Sequence, residues 1–262
     1  MHFVKGHGTE NDFVVLPDAD GQLALTDRQV QLLCDRRAGI GADGILRVVR
    51  SRHVPEAAGS GAEWFMDYRN ADGSTAQMCG NGVRVYARYL VDAGLAPAGR
   101  LLLATRGGTK VVDVPASGDI TVDMGPAVLG EPVEIDGATA TSVDMGNPHA
   151  VVQVASLDGL GALQPTRTDL NVEYVEQLGP GRLRMRVHER GVGETRSCGT
   201  GACAAVVATT SLTGEPRDIP YAVGVPGGDL LVTWRADDHV LLCGPAVLVA
   251  EGQVRPDFWD SM

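Results

Sequence analysis

The stretch Met78-Cys79-Gly80-Asn81-Gly82 returns later in the chain as Ser197-Cys198-Gly199-Thr200-Gly201. Both are Cys-Gly-x-Gly turns that run directly into a helix-forming stretch, so each predicts a helix that begins at a cysteine. A thiol in that position lies next to unpaired backbone N–H groups and the positive end of the helix dipole, which lower its pKa. Two such thiols in matching positions predict a pair of acid/base groups that act on one substrate.

The repetition extends upstream of both cysteines. A polar residue, Asn70 or Glu189, precedes each cysteine by the same number of residues. Further upstream, Gly6-His7-Gly8 and Met145-Gly146-Asn147-Pro148-His149 are each interpreted as a turn that leads into a strand. We interpret this as an internal duplication, in which each half contains a turn, a strand, a polar loop, a Cys-Gly-x-Gly turn and a helix.

The segments between these motifs predict an α+β fold. Many short apolar segments are typical of strands, and each half has one helix after its Cys-Gly-x-Gly turn. The helix predicted over 202–211 has small and apolar residues on every side, which is typical of a helix buried all round. We therefore expect two pseudo-symmetric domains, each a curled, mostly antiparallel sheet wrapped around a central helix. The expected domains are 1–116, completed by 250–262, and 117–249.

Charge and composition exclude several classes of partner. The 262 residues carry a formal net charge of −11, whereas nucleic acid and anionic membrane surfaces require a basic protein surface. No apolar run approaches the roughly 18 residues of a membrane span, and the first residues lack the apolar core of a signal peptide. We therefore expect a cytoplasmic protein that binds neither nucleic acid nor membrane. The sequence leaves open whether it forms a homodimer.

Metal binding is a weaker interpretation of the cysteines. Neither Cys79 nor Cys198 has a C-x-x-C partner, so no metal site is expected. The remaining thiols are expected to pack in the core as small apolar residues, and to be reduced. They are Cys34, Cys203 and Cys243.

Cofactor binding is also disfavoured. The run Gly39-x-Gly41-x-x-Gly44 matches a dinucleotide-binding pattern, but it precedes a strand instead of following one and opening a helix. A pyridoxal Schiff base needs a suitably placed lysine, and neither Lys5 nor Lys110 lies in such a setting. We therefore expect no cofactor.

The polar residues near the motifs have two interpretations. Asparagines often satisfy turns, and Glu189-Arg190 resembles a solvated surface pair. However, Arg190 beside Glu189 offers a cation for a carboxylate and an anion for an ammonium, which is what binding one end of an amino acid requires. We favour this second interpretation for the two charged residues.

At this point the chain resembles the diaminopimelate epimerase family. The resemblance rests on motifs that occur in the family's order and cover nearly the whole chain. They are the two Cys-Gly-x-Gly turns, His7-Gly8-x-x-Asn11-Asp12-Phe13, Asn70-Ala71-Asp72-Gly73-Ser74, Gly146-Asn147-Pro148-His149 and Glu189-Arg190-Gly191-x-Gly193-Glu194-Thr195. The resemblance implies a cofactor-independent enzyme that interconverts LL- and meso-diaminopimelate for lysine and peptidoglycan precursors. It also implies a site in the cleft between two domains.

The resemblance further implies a role for individual residues. Cys79 and Cys198 match the family's two bases, and His149 and Glu189 match residues that adjust the thiol pKa values. The residues that match substrate-binding positions are Asn11, Asn70, Gly80, Asn81, Asn147, Asn171, Glu189, Arg190, Gly199 and Thr200. Gly44 departs from the pattern, because many family members carry a glutamine there as a substrate contact.

Inverting a carbon requires a base on one side and an acid on the other, so one cysteine must be a thiolate while the other is a thiol. Three alternatives remain open from the residues. The two Cys-Gly-x-Gly turns are shared with proline racemases, which are amino-acid racemases. The second alternative is a redox-switched amino-acid-binding protein with a regulatory disulfide between Cys79 and Cys198. The third is an amino-acid-binding module without turnover. Neither of these would exchange the α-hydrogen of the amino acid with solvent.

Overall fold

The computed structural model describes residues 1–260, and the chain divides into two compact units. The first consists of residues 1–122 together with the segment from Pro245 onward, and the second is Asp123–Gly244. The boundary expected from the sequence, 116/117, lies in a Pro/Gly-containing turn. That turn is held by Arg88, which donates to the carbonyl oxygens of Pro115 and Gly118 at 3.1 and 3.0 Å.

The secondary structure is mostly short strands. Residues 1–126 form β1 His2–Gly8, β2 Asn11–Pro17, α1 Asp27–Cys34, β3 Gly44–Arg50, β4 Trp64–Asn70, α2 Gly80–Asp92, β5 Gly99–Ala104, β6 Lys110–Val114 and β7 Ile120–Pro126. Residues 128–195 form β8 Val128–Leu129, β9 Val133–Ile135, β10 Ala138–Asp144, β11 Pro148–Gln153, β12 Asn171–Gly179, β13 Arg182–Glu189 and β14 Gly193–Thr195. The rest forms α3 Gly199–Thr213, β15 Pro220–Val225, β16 Gly228–Trp234, β17 His239–Gly244, β18 Val247–Gln253 and α4 Pro256–Asp260. Single 3₁₀ turns occupy Ser51–His53 and Pro55–Ala57.

The strand pairing of the first unit follows a simple order. Along β1 to β7, successive pairs are antiparallel, parallel, antiparallel, parallel, antiparallel and antiparallel. Strand β18 pairs with β1 on its other side. Helix α2 contacts β1, β2, β3, β4, β6 and β18, and its residues from Gly80 to Leu90 are all buried. The sheet therefore wraps around this helix.

The second unit repeats that order. Along β10, β11, β12, β13, β15, β16 and β17 the successive pairs are again antiparallel, parallel, antiparallel, parallel, antiparallel and antiparallel. Helix α3 contacts six of these seven strands, and its residues up to Thr210 are buried apart from Thr200. The predicted pseudo-symmetric α+β fold, with one enclosed helix in each half, is therefore confirmed.

One predicted turn is wrong. Gly6-His7-Gly8 belongs to β1, and the chain reverses at Thr9 and Glu10, whose φ angles are 49° and 61°. The glycines are needed for close packing, since a Cβ on Gly6 would lie 2.9 Å from the Val247 carbonyl oxygen. The corresponding turn of the second half, at Gly146 with φ 91°, is present as predicted.

Helix α1 begins at a capping box, which the sequence Thr26-Asp27-Arg28-Gln29 itself indicates. Thr26 and Gln29 form a capping box, in which the Thr26 hydroxyl accepts from the Gln29 N–H at 3.2 Å and the Gln29 side chain accepts from the Thr26 N–H at 3.0 Å. Within residues 1–260, no helix combines the length and apolarity that a membrane crossing needs.

Candidate active site

Each of the two predicted cysteines caps the N-terminus of a central helix. Cys79 precedes α2 and Cys198 precedes α3, with φ/ψ angles of −144°/118° and −123°/117°. Each sulfur accepts a hydrogen bond from the backbone N–H three residues later, at 3.4 Å in both helices. The Cys-Gly-x-Gly motif therefore places a thiol at the positive end of each helix, as the sequence predicted.

The electrostatic expectation for Cys198 is wrong. Burial raises the pKa of this thiol well above its ordinary value, and the charges of Glu189 and Glu173 raise it further. Hydrogen bonds with the Thr200 hydroxyl, 3.4 Å away, and with the Gly201 N–H oppose that rise without reversing it. Only 7% of the surface of Cys198 is exposed, so desolvation raises its pKa by more than the helix terminus lowers it. Burial and the two neighbouring carboxylates thus favour the thiol form of Cys198.

A buried histidine and a buried carboxylate form a pair next to the first turn of α3. His149 on β11 and Glu173 on β12 are 1% and 0% exposed, and Nδ1 of the histidine is 2.7 Å from Oε1 of the glutamate. The other ring nitrogen of His149 is 3.1 Å from Oδ1 of Asn147. A Cβ on Gly201 would lie 2.7 Å from Glu173 Oε1, so only glycine fits the first turn of α3 at that position.

Glu173 was not among the predicted site residues. Its second carboxylate oxygen, Oε2, is buried and has no hydrogen-bond partner in the part of the chain that the structure describes. The available signal was a glutamate flanked by Val172, Tyr174 and Val175, all of which are buried. A buried carboxylate of this kind is a marker of a functional site.

Strand β13 ends at Glu189, and Arg190 follows it in a turn beside Asn171. The Asn171 amide donates to the Pro148 carbonyl oxygen at 2.9 Å, and its oxygen accepts from the Arg190 N–H at 3.0 Å. Glu189 accepts from the Thr195 hydroxyl at 2.5 Å. The Arg190 side chain is exposed and makes no hydrogen bond to the rest of residues 1–260, so its five N–H donors remain for a ligand.

Burial raises the pKa of the Glu189 carboxyl, against the hydrogen bond from Thr195. The charge of Glu173 raises it further, and His149 and a hydrogen bond with Cys198 lower it. The protonation of Cys198 and that of Glu189 are therefore linked, because each group affects the charge of the other.

In the first unit, the structure brings Asn11 and Asn81 to Cys79. The Cys79 sulfur is 3.5 Å from Oδ1 of Asn11, and Nδ2 of Asn81 donates to the same oxygen at 3.2 Å. Asn70 lies at the end of β4, where its amide donates to the Ser74 hydroxyl at 3.0 Å. Its observed contacts hold its own turn, and they do not include Cys79.

Gly44 explains its own departure from the family pattern. A Cβ at this position of β3 would lie 2.5 Å from the Arg69 carbonyl oxygen and 2.7 Å from Cε2 of Tyr68 on β4. Both atoms belong to the neighbouring strand, so a glutamine would require β3 and β4 to separate. The packing of this chain therefore excludes a side-chain contact from position 44.

The first residues of both helices provide backbone donors. Gly80 and Asn81, and likewise Gly199 and Thr200, are the first two residues of α2 and α3, whose N–H groups have no partner within the helix. Such groups bind anions, carboxylates included. Across residues 1–260, His, Cys, Asp and Glu side chains form no group of three or more that could hold a metal ion.

The sequence of this chain matches a known protein family. The family model described as "Diaminopimelate epimerase" matches residues 3–130 and 141–249. The chain belongs to the diaminopimelate epimerase family. It is 53% identical to the diaminopimelate epimerase of Streptomyces coelicolor, with 96% of this chain and 94% of that protein covered. It is 49% identical to the diaminopimelate epimerase of Thermobifida fusca, with 97% and 98% covered.

The fold is shared more widely than the family. A solved structure of a phenazine biosynthesis protein of the PhzF family from Bacillus anthracis superposes with a TM-score of 0.74, covering 97% of this chain and 99% of that one. The two sequences are 15% identical, so this likeness concerns the fold alone. The architecture of this chain is therefore not confined to the diaminopimelate epimerase family.

Proposed function

We propose that this chain interconverts LL- and meso-diaminopimelate in lysine and peptidoglycan precursor synthesis, with Cys79 and Cys198 as its two acid/base groups. The observation that carries this proposal is the matched placement of the two thiols, each capping the buried central helix of its unit. Membership of the diaminopimelate epimerase family supplies the substrate and makes the enzyme an isomerase.

The chemistry requires two different protonation states. One cysteine, as the thiolate, removes the α-hydrogen from one side of the carbon, and the other, as the thiol, delivers a proton from the opposite side. The chain then holds the opposite distribution of protons, which suits it to the reverse reaction. The acid and the base are both side chains of the protein, so the proposed reaction needs no cofactor.

Binding of the reacting carboxylate is assigned to the helix starts. The N–H groups at the helix starts, at Gly80-Asn81 and Gly199-Thr200, suit a carboxylate whose negative charge grows as the α-hydrogen leaves. Closure around the substrate would exclude water and strengthen these hydrogen bonds.

Recognition of the distal end is assigned to the end of β13. The exposed guanidinium of Arg190 suits the distal carboxylate, and Glu189 suits the distal ammonium. Asn171, which accepts from the Arg190 N–H at 3.0 Å, fixes the backbone of this pair. Asn11, Asn70 and Asn147 complete the proposed substrate contacts, and His149 adjusts proton sharing around Cys198.

The test is incubation with LL-diaminopimelate in deuterated water. We expect deuterium at the α-carbon of the meso product, and a loss of turnover of at least about 100-fold in Cys79→Ser and Cys198→Ser. Cys203→Ser is the matched control, because Cys203 is a fully buried thiol on the same helix as Cys198. Near-wild-type turnover in either site variant would overturn the two-base assignment, and binding without α-exchange would favour an amino-acid-binding protein.

Location and assembly belong to the same proposal. Diaminopimelate is a small, charged molecule that is made and used inside the cell, so the proposed enzyme works in the cytoplasm. We also carry forward a homodimer as the assembly to be tested. Cell fractionation and light scattering of the purified protein test these two statements separately from the activity.

A further inference from the structure

The amide of Asn11 lies between Cys79 and a carboxylate. Its Nδ2 donates to Oδ2 of Asp43 at 2.7 Å, and its Oδ1 is 3.5 Å from the Cys79 sulfur. The same Asp43 oxygen accepts from the Asp12 N–H at 3.1 Å, and the other accepts from Arg36 at 2.7 Å. The Asp43 carboxylate therefore accepts three hydrogen bonds, one of which comes from Asn11.

A second amide continues the chain of hydrogen bonds towards α2. Nδ2 of Asn81 donates to Oδ1 of Asn11 at 3.2 Å, and Oδ1 of Asn81 accepts from Nη2 of Arg84 at 3.1 Å. Arg84 is fully buried, and its guanidinium also donates to the Thr9 hydroxyl at 3.3 Å and the Pro245 carbonyl oxygen at 3.2 Å. This series of hydrogen bonds thus begins at the Asp43 carboxylate and ends at the Arg84 guanidinium.

The two ends determine the direction of every bond between them. A carboxylate only accepts hydrogen bonds and a guanidinium only donates them. Asn11 must therefore give its NH₂ to Asp43, and Asn81 must give its oxygen to Arg84, which leaves one orientation for each amide. As a result, Asn11 presents an oxygen to Cys79, and that oxygen accepts from S–H but repels a thiolate.

We propose that Asp43 is a positioning residue for Cys79: by holding the Asn11 amide with its oxygen towards the sulfur, it favours the thiol over the thiolate, against the Gly82 N–H and the helix terminus. This rests on the proposed role of Cys79 as an acid/base group. A substrate that binds the Asn11 amide would break the contact between its oxygen and the Cys79 sulfur. The thiol would then ionise more easily when substrate is bound. Nothing in the resemblance or in the motif pattern assigns a role to Asp43.

Several charged groups lie on the elements that pack around this chain of bonds. They are Lys5 and His7 on β1, Asp12 on β2, Arg36 after α1, Asp43 before β3 and Arg84 on α2. Asp12 is held by Lys5 at 2.5 Å and by Arg36 at 2.7 Å, so it shares Arg36 with Asp43 but does not contact the Asn11 side chain. It therefore provides a control for the loss of one negative charge.

The test measures the alkylation rate of Cys79 by iodoacetamide against pH, with peptide mapping to separate it from Cys198. Asp43→Asn replaces the carboxylate by an amide that can also donate, so the Asn11 amide is then held by Asn81 alone and presents its NH₂ to the sulfur part of the time. We expect the pH midpoint of Cys79 alkylation to fall by up to about 1. Asp12→Asn removes the same charge and should move that midpoint less than half as far. The midpoint of Cys198 serves as an internal reference and should not move.

Two outcomes would overturn the proposal. One is a Cys79 midpoint in Asp43→Asn that matches wild type or moves no further than in Asp12→Asn. The other is an unchanged midpoint in Asn11→Ala, which removes the oxygen acceptor while leaving every charge in place, and which decides the question if Asp43→Asn does not fold. Alkylation requires no turnover, so a failed epimerase assay of the wild-type chain would refute the proposed function separately.

Discussion

Replacing Glu173 by glutamine should lower the pKa of the Cys198 thiol. The substitution keeps the size of the side chain and an oxygen for the His149 ring, but it removes a buried charge. That charge is one of the causes that raise the pKa of Cys198, after burial and the charge of Glu189. With the negative charge gone, the thiolate is less disfavoured, so the pKa moves down towards its ordinary value.

The size of the effect follows from the geometry at Gly201. The position of a Cβ on Gly201 lies 2.7 Å from Glu173 Oε1 and 3.3 Å from Cys198 Cβ, so the carboxylate oxygen and that Cβ are no more than about 6 Å apart. At roughly 6–8 Å between charges and an effective dielectric constant of about 20, the repulsion is about 2–3 kcal/mol. Removing this repulsion lowers the pKa of Cys198, and the midpoint of its alkylation should fall with it.

The assay is the pH dependence of Cys198 alkylation, followed by peptide mapping. Glu176→Gln is the control, because Glu176 lies on the same strand but is bound by Arg184 at 2.6 Å and by the Leu157 N–H at 3.0 Å. We expect the Cys198 midpoint to fall in Glu173→Gln alone, and the Cys79 midpoint to stay. An unchanged or higher Cys198 midpoint would refute the reasoning, since Glu173 would then carry no net charge in its pair with His149.

Two further predictions concern the second unit. Arg190→Ala should lower kcat/KM for diaminopimelate by about 10–150-fold through a higher KM, because it removes a charge-assisted contact of about 1.5–3 kcal/mol, and an unchanged steady-state KM would place Arg190 outside the site. Gly201→Ala should lower the free energy of unfolding by about 1–3 kcal/mol in urea titrations, because the new Cβ would lie 2.7 Å from Glu173 Oε1. The loss should be smaller in a Glu173→Ala background, and equal losses in both backgrounds would contradict this cause.

Local features of the fold were predictable from sequence. The capping box at Thr26 and the cysteine caps of α2 and α3 depend on residues within one helical turn, and all three are present. The burial of α3 was also predictable, because a helix of small and apolar residues has no polar side to expose. By contrast, β18 was not predicted as a strand. Its residues are mostly exposed and show no alternation, and it is defined by its pairing with β1, far away in sequence.

The contacts of the candidate site were less predictable. His149 meets Glu173 because β11 and β12 pair in parallel with His149 opposite Asn171, which places the histidine and the glutamate on one side of the sheet. The long connection between these strands gives no register from sequence alone. The lowered pKa expected for Cys198 failed for the same reason, since the helix terminus is visible in the sequence but the surrounding carboxylates are not.

The duplication gives the two cysteines the same backbone position but different surroundings. Cys79 lies partly exposed beside two amides whose orientations are fixed by Asp43 and Arg84, whereas Cys198 is buried beside Glu189 and near Glu173. A reaction that inverts a carbon needs one thiol and one thiolate, and two identical sites would divide the proton equally between them. Hydrogen bonding disfavours the thiolate at Cys79, while burial and charge disfavour it at Cys198. A ligand that binds the Asn11 amide would therefore favour ionisation of Cys79, and loss of a neighbouring negative charge would favour ionisation of Cys198. Because these causes are independent, one cysteine can ionise while the other remains a thiol, which is the distribution that epimerisation requires.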